Sequence, residues 1–237
     1  MISRRGRWDV VRNALVAGWS ICDNPPAMAT ARANRMTLDA LREARRRFQE
    51  IEPRDLFYRA ALSLIRLSER PDLDLDLAES LAVLLQTWNR QYYRFQCGFR
   101  EEHLVAIQQL LARYADDLRA LRGRRLTSYD ESDAGVISRL FHDFEVALGP
   151  VGAAKALHLL APTFFPLWDQ TIAHRAYGIY LKNIGLNADR YLKLMELTKE
   201  QIGVLGGWDA FGDANPVKAI DEYNYCVYTR GLDIVAS

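Results

Sequence analysis

From Thr37 onward the apolar residues return at helical spacing in one segment after another, each bounded by a capping or breaking residue. That pattern confines the chain to an all-α fold. In TLDALREARRRFQEI, Thr37 can cap, and Leu38, Leu41 and Phe48 share a face. Pro53 opens the next segment, PRDLFYRAALSLIRLSER, with Leu56, Ala60, Ser63 and Leu67 along one side and Pro71 as its stop. DLDLDL alternates with period two but is brief and runs into AESLAVLLQTWNRQYYRF, so it is a linker leading into a helix. A helix over about Arg100 to Leu121 carries Glu101 and Glu102 at its start and is closed by Arg122 and Gly123. Asp130 or Ser132 caps another, whose stripe of Val136, Ile137, Leu140, Phe144 and Ala147 ends at Leu148. TIAHRAYGIYLKN, a segment from about Asn187 to Leu205, and VKAIDEYNYCVYTR after Pro216 complete the series, with GGWDAFGDANP as a surface loop. The sequence contains no repeat and no convincing strand pair.

With 237 residues and 49% hydrophobic content, the chain can bury a sizeable core without staples. Residues 37–237 form the expected helical domain. Residues 1–36 carry six arginines against two aspartates and are open to three readings: a targeting peptide, a DNA-binding arm or peripheral helix, or an extension upstream of a start at Met36. Overall 31 basic residues balance 30 acidic ones, which argues against a nonspecific polyanion binder but leaves local basic patches open. Cys22, Cys97 and Cys226 are too dispersed for a metal site and odd in number for a disulfide framework, which suits a reducing, cytoplasmic location. His103, His142, His158 and His174 make no zinc pattern, and His158 is expected to pack within its helix. No apolar run reaches the roughly 18 residues of a membrane span, and neither a membrane nor an obligatory protein partner is expected.

The segment from Leu148 to Asp169, LGPVGAAKALHLLAPTFFPLWD, carries the functional argument. Two helices are joined there by a Gly-Pro-Val-Gly turn. Gly149 and Gly152 permit backbone geometry closed to other residues, and the second helix presents unpaired N–H groups and the positive end of its dipole. A DNA phosphate suits such an end. A lone Gly-x-x-Gly turn is also an ordinary structural turn. Its surroundings, however, resemble one family. LGPVGAAKA is similar to the LPGVGxxTA hairpin of the helix-hairpin-helix DNA glycosylases, and FFPLWDQTIAHR resembles the FPILDGNVxR stretch that follows it in their adenine-excising branch. Upstream, LAVLLQTWNRQ looks like the MLQQTQ segment inserted at the lesion. The turn departs from the family in having Gly-Pro where the family has Pro-Gly.

The resemblance implies a helix-hairpin-helix glycosylase-like domain with an active-site cleft between two helical lobes, acting on double-stranded DNA. It makes Asp169 the catalytic carboxylate, because cleavage of an N-glycosidic bond develops positive charge on the sugar. On its residue type alone, Asp169 is equally a helix cap. Gly149, Val151, Gly152, Lys155, Arg90 and Arg94 are the implied DNA contacts. Gln86, Asn89 and Gln91 are candidates to fill the gap left by a flipped base, and Tyr92, Tyr93 and Trp168 to stack on it, although aromatics at helical spacing also serve as core. Arg122, Arg124 and Arg125 make a second basic spot, open between backbone contact and a solvated helix end. Aligning Leu148 and Ala156 with the family places Ala154 where lyase members have their lysine, so Lys155 falls one residue late and a monofunctional enzyme is expected. The cysteine set of an iron–sulfur cluster is missing, and no cofactor or metal is expected. Glu79 lies too far upstream for the branch's glutamate, leaving the proton donor unassigned. That departure and the aromatic segment point towards an unusual substrate, such as a bulky modified base of phage DNA in an antiviral role. The rivals are a noncatalytic helix-hairpin-helix DNA-binding module and a Lys155-dependent lyase.

Overall fold

The computed structural model describes residues 36–53, 55–68, 76–88 and 98–234. Every regular element among them is helical. In chain order these are α1 (Leu38–Ile51), α2 (Asp55–Leu67), α3 (Leu77–Trp88), α4 (Glu101–Arg113), α5 (Ala115–Arg122), α6 (Ala134–Leu160), α7 (Gln170–Tyr177), α8 (Ala188–Val204) and α9 (Pro216–Asn224). A π turn, Tyr225–Thr229, extends α9. Residues 1–35, the body of the expected arm, lie outside the described part.

The local chemistry explains most of the boundaries. Thr37 caps α1, its hydroxyl oxygen accepting from the Ala40 N–H at 3.1 Å. Asp76 does the same for α3 through Ala78 at 2.7 Å, so the end of the DLDLDL stretch is indeed the lead into a helix. Three expectations needed the tertiary structure to correct them. The helix over Arg100 to Leu121 breaks at Tyr114 into α4 and α5. The helix over TIAHRAYGIYLKN ends at Tyr177, because Gly178 takes φ 67° and turns the chain away. On α2 the buried face is Tyr58, Ala61 and Ile65, whereas Leu56, on the stripe chosen from sequence, is 58% exposed.

Two groups of helices meet on α6. One is α2, α3 and α4; the other is α8 with α9, which in turn holds α1, while α7 packs on α8 and the π turn. Their buried side chains form one continuous apolar cluster, with Phe141, Phe144, Phe165, Trp168 and Tyr191 among the largest members. Burying apolar surface of this kind contributes about 25 cal/mol per Å² and is the main source of stability.

The turn expected over four residues is confined to one. Gly149, at φ 73° and ψ 165°, is the single non-helical residue between the two halves of α6, at 134–148 and 150–160. It ends the first half, and Pro150 begins the second, where its fixed φ suits a helix start and its missing N–H costs nothing. The Gly-Pro order thus makes a break of its own kind. An L side chain is disfavoured at this backbone geometry, so Gly149→Ala is expected to lower stability by about 1–3 kcal/mol, measured by urea denaturation. An unchanged midpoint would show that the break relaxes without cost.

Candidate functional site

Asp169 sits at the N-cap of α7 with extended backbone angles (φ −124°, ψ 173°), and its Oδ1 accepts from the Ile172 N–H at 2.7 Å. It is half-buried. Burial pushes its carboxyl above the ordinary aspartate range; the cap bond from Ile172 opposes this, the charge of Asp221 adds to it, and that of Lys155 opposes it. A carboxylate held rigidly by a helix end and shielded from water is a strong local anion.

Trp168 ties this segment to the break in α6. Its Nε1–H donates to the Pro150 carbonyl at 2.9 Å. Its ring meets Phe141 and Tyr191 edge-on at 5.7 and 5.4 Å, and those two rings stack on each other at 4.1 Å. At 1% exposure it belongs to the core, which leaves no ring face open to a flipped base. Its hydrogen bond links the residue before Asp169 to the residue after Gly149.

Behind the segment runs a buried relay. His158 is fully buried; its Nδ1 lies 2.7 Å from the Phe165 carbonyl and its Nε2 lies 2.9 Å from the Tyr58 hydroxyl. A carbonyl only accepts, so Nδ1 carries the proton and Nε2 accepts from Tyr58. Burial drives the imidazole pKa down to about 3. Because the folded value lies below the unfolded one, near 6.5, the unfolded chain binds more protons between the two. Stability is therefore expected to fall as pH drops from about 6.5 towards 3, by an amount on the order of 4 kcal/mol in full. Urea titrations across this window, with His158→Gln flattening the slope, check it.

Trp88, the last residue of α3, is where these parts converge. Lys155 Nζ donates to the Trp88 carbonyl at 2.7 Å and lies 5.6 Å from its ring centre, a cation placed at a helix C-terminus. Tyr58 stacks on the same ring at 5.0 Å. From α9, Lys218 brings its ammonium to 4.5 Å from the Phe48 ring, 5.1 Å from Tyr58 and 5.5 Å from Trp88, and pairs with Asp221 at 3.2 Å and Glu222 at 3.6 Å. Burial alone would lower the Lys218 pKa, but Asp221 and Glu222 more than compensate and hold it above the usual lysine value. Sequence reasoning missed Tyr58, Lys218 and Asp221, since nothing in their spacing relates them to residues more than a hundred positions away. The VKAIDEYNY segment does show one signal: a lysine three and four residues ahead of two acids.

The remaining expected site residues are dispersed. Gly149 and Gly152 are buried and Val151 is half-buried around the break in α6, with Val151 and Gly152 already in helical conformation. Ala154, which the sequence resemblance alone would align with the lyase lysine, is buried. Gln86 is exposed on α3, and Glu79 is exposed in its first turn. Asn89, Arg90, Gln91, Tyr92, Tyr93 and Arg94 lie outside the described residues. In the second basic spot, Arg124 is engaged internally, donating to Asp133 at 2.6 Å and stacking on Phe164, and Arg125 reaches Asp209 at 3.4 Å. Among the described residues no cluster of His, Cys, Asp or Glu is arranged to hold a metal, and no helix is long and apolar enough to cross a membrane. No family model, curated protein or solved structure matches the chain.

Proposed function

We propose that the chain is a monofunctional helix-hairpin-helix DNA glycosylase that flips a modified or mispaired base from duplex DNA and hydrolyses its N-glycosidic bond. The observation that carries this is the Trp168–Pro150 hydrogen bond, which joins the residue before the half-buried Asp169 to the residue after the Gly149 break. A phosphate would dock on the helix start at Val151 and Gly152, and the extruded nucleotide would lie with its sugar over Asp169. As the bond from C1′ to the base nitrogen breaks, the electron pair leaves with the base and the carboxylate stabilises the cationic sugar. Water then adds to C1′, and the proton it loses is taken up by the departing base, leaving an abasic site and the free base. Lys155, committed to the Trp88 carbonyl, balances charge near Asp169 in this scheme, with no Schiff base formed.

Gln86, Asn89 and Gln91 remain the proposed wedge, Tyr92 and Tyr93 the proposed base pocket, Arg90 and Arg94 proposed phosphate contacts, and modified phage bases the proposed substrates, in an antiviral role. The test is abasic-site formation on a panel of duplexes that includes phage DNA with modified cytosines. Release of a free base without strand cleavage supports the reading. Cleavage with a borohydride-trapped adduct would favour the lyase. One observation favours a noncatalytic DNA-binding module instead: Asp169 makes a complete N-cap and needs no chemistry to explain it. DNA binding with no base released from any panel member is the outcome that module predicts.

A further inference from the structure

The connection between α7 and α8 is a stiff loop with an apolar tip. Asn187 ties it down: its side-chain Oδ1 accepts from the Lys182 N–H at 2.6 Å, and its Nδ2 donates to the Lys182 and Asn183 carbonyls at 3.1 Å each. Asn187 is in turn held by the fully buried Glu145 of α6, to which its main-chain N–H donates at 3.2 Å and its side-chain amide also donates. A platform built this way would be expected to carry polar residues at its surface. Instead Tyr180 is 64% exposed and Leu186 59%, beside Ile184 and, on α6, Val146.

Within the segment itself the charges are mostly positive, the Glu145 carboxylate that holds Asn187 being fully buried on α6. Residues 174–190 carry the cations Arg175, Lys182 and Arg190 against the single acid Asp189. Arg190 donates to the carbonyls of Tyr180 and Leu186, and Arg175 to that of Tyr228. None of the three cations has a carboxylate at ion-pair distance among the described residues. The tip also stands beside the break in α6. Gly185, at φ 86°, lies against His142 and Val146, and the His142 ring is 3.1 Å from the Gly185 carbonyl. Val146 precedes Gly149 by three residues, or about 5 Å along a helix axis.

We infer that the loop from Gly178 to Asn187 is a second duplex-DNA contact, with Tyr180 and Leu186 as an apolar wedge and Lys182 and Arg190 on the flanking phosphates. The inference rests on the glycosylase reading for the identity of the polyanion. Its own basis is the union of exposed apolar side chains with cations that lack acidic partners, which is the chemistry of proteins that unstack a base step from the groove. Rigidity matters here because a wedge that folds away on contact transmits no strain to the duplex.

The test is fluorescence anisotropy of a fluorescein-labelled duplex against the full chain over a salt series. A parallel duplex carrying 2-aminopurine reports unstacking. Lys182→Glu is expected to weaken binding about tenfold and to make the salt slope shallower by about one unit. Tyr180→Ala is expected to weaken binding and abolish the 2-aminopurine signal, with the salt slope unchanged. Both side chains are exposed, and thermal melts of the variants control for folding. If the wild type binds duplex and both loop variants bind equally well, this inference is overturned and the glycosylase reading stands. Failure of every form to bind duplex DNA, or preference for single-stranded RNA, overturns both. Loss of self-association in Tyr180→Ala, seen by sedimentation and without a change in DNA affinity, would assign the tip to a second copy of the chain and also overturn the inference.

Discussion

Asp169→Asn is expected to reduce abasic-site formation by about 10³-fold while leaving the fold intact, on the scale of losing one preorganised electrostatic stabiliser. Asparagine caps a helix as well as aspartate does, so the bond to the Ile172 N–H survives and only the charge is lost. The substitution therefore separates the two roles that the position combines. Because burial raises the Asp169 carboxyl above its unfolded value, ionising it at neutral pH costs stability. That cost is absent below the unfolded value and grows as pH rises through the folded one. The asparagine variant should accordingly be as stable as the wild type or more so at neutral pH, as expected where a site is kept at the expense of stability. Activity of the wild type should fall as pH is lowered through a value above the usual aspartate range. A variant with full activity would reduce Asp169 to a cap.

Lys218→Met should be the most damaging substitution for stability. Lys218 is 6% exposed and Glu222 5%, and Glu222 Oε2 has no hydrogen bond of its own. Methionine fills much of the same volume among Phe48, Tyr58 and Trp88 but leaves the buried Glu222 carboxylate with only the more distant Arg45, whose Nε is 3.9 Å from Oε2. Breaking a buried pair from one side costs about 3–5 kcal/mol, which for a chain of this size corresponds to a fall in Tm of about 6–20 °C. Burial already pushes the Glu222 carboxyl above its normal value with Lys218 opposing. Without the lysine it should rise further, so the deficit should shrink as pH falls and the carboxyl becomes neutral. Lys218→Met combined with Glu222→Gln removes both charges and should recover most of the loss. If the single variant melts with the wild type, the aromatic contacts alone hold α9 to α1, α2 and α3.

The helical class, most helix starts and the break at Gly149 were legible in the sequence because they depend on local chemistry. Caps, proline at a helix start and glycine at positive φ act within a few residues of themselves. The N-cap role of Asp169 was legible for the same reason, its carboxylate accepting from an N–H three residues on. The face that α2 buries was not legible, since its apolar residues are spread around the helix and only the neighbours decide which are covered.

Trp168 shows the limit most clearly. Its residue type suits a stacking surface, yet its indole N–H is used by the Pro150 carbonyl and its ring by Phe141 and Tyr191. The cage around Lys218 gathers side chains from α1, α2, α3 and α9, so its members are distant along the chain. Sequence by itself determined the helices and where the chain must turn, because backbone hydrogen bonds and dihedral preferences are local. Tertiary structure alone decided which side chains meet and which carboxylates share a field, because burial and Coulomb interaction depend on distance in space.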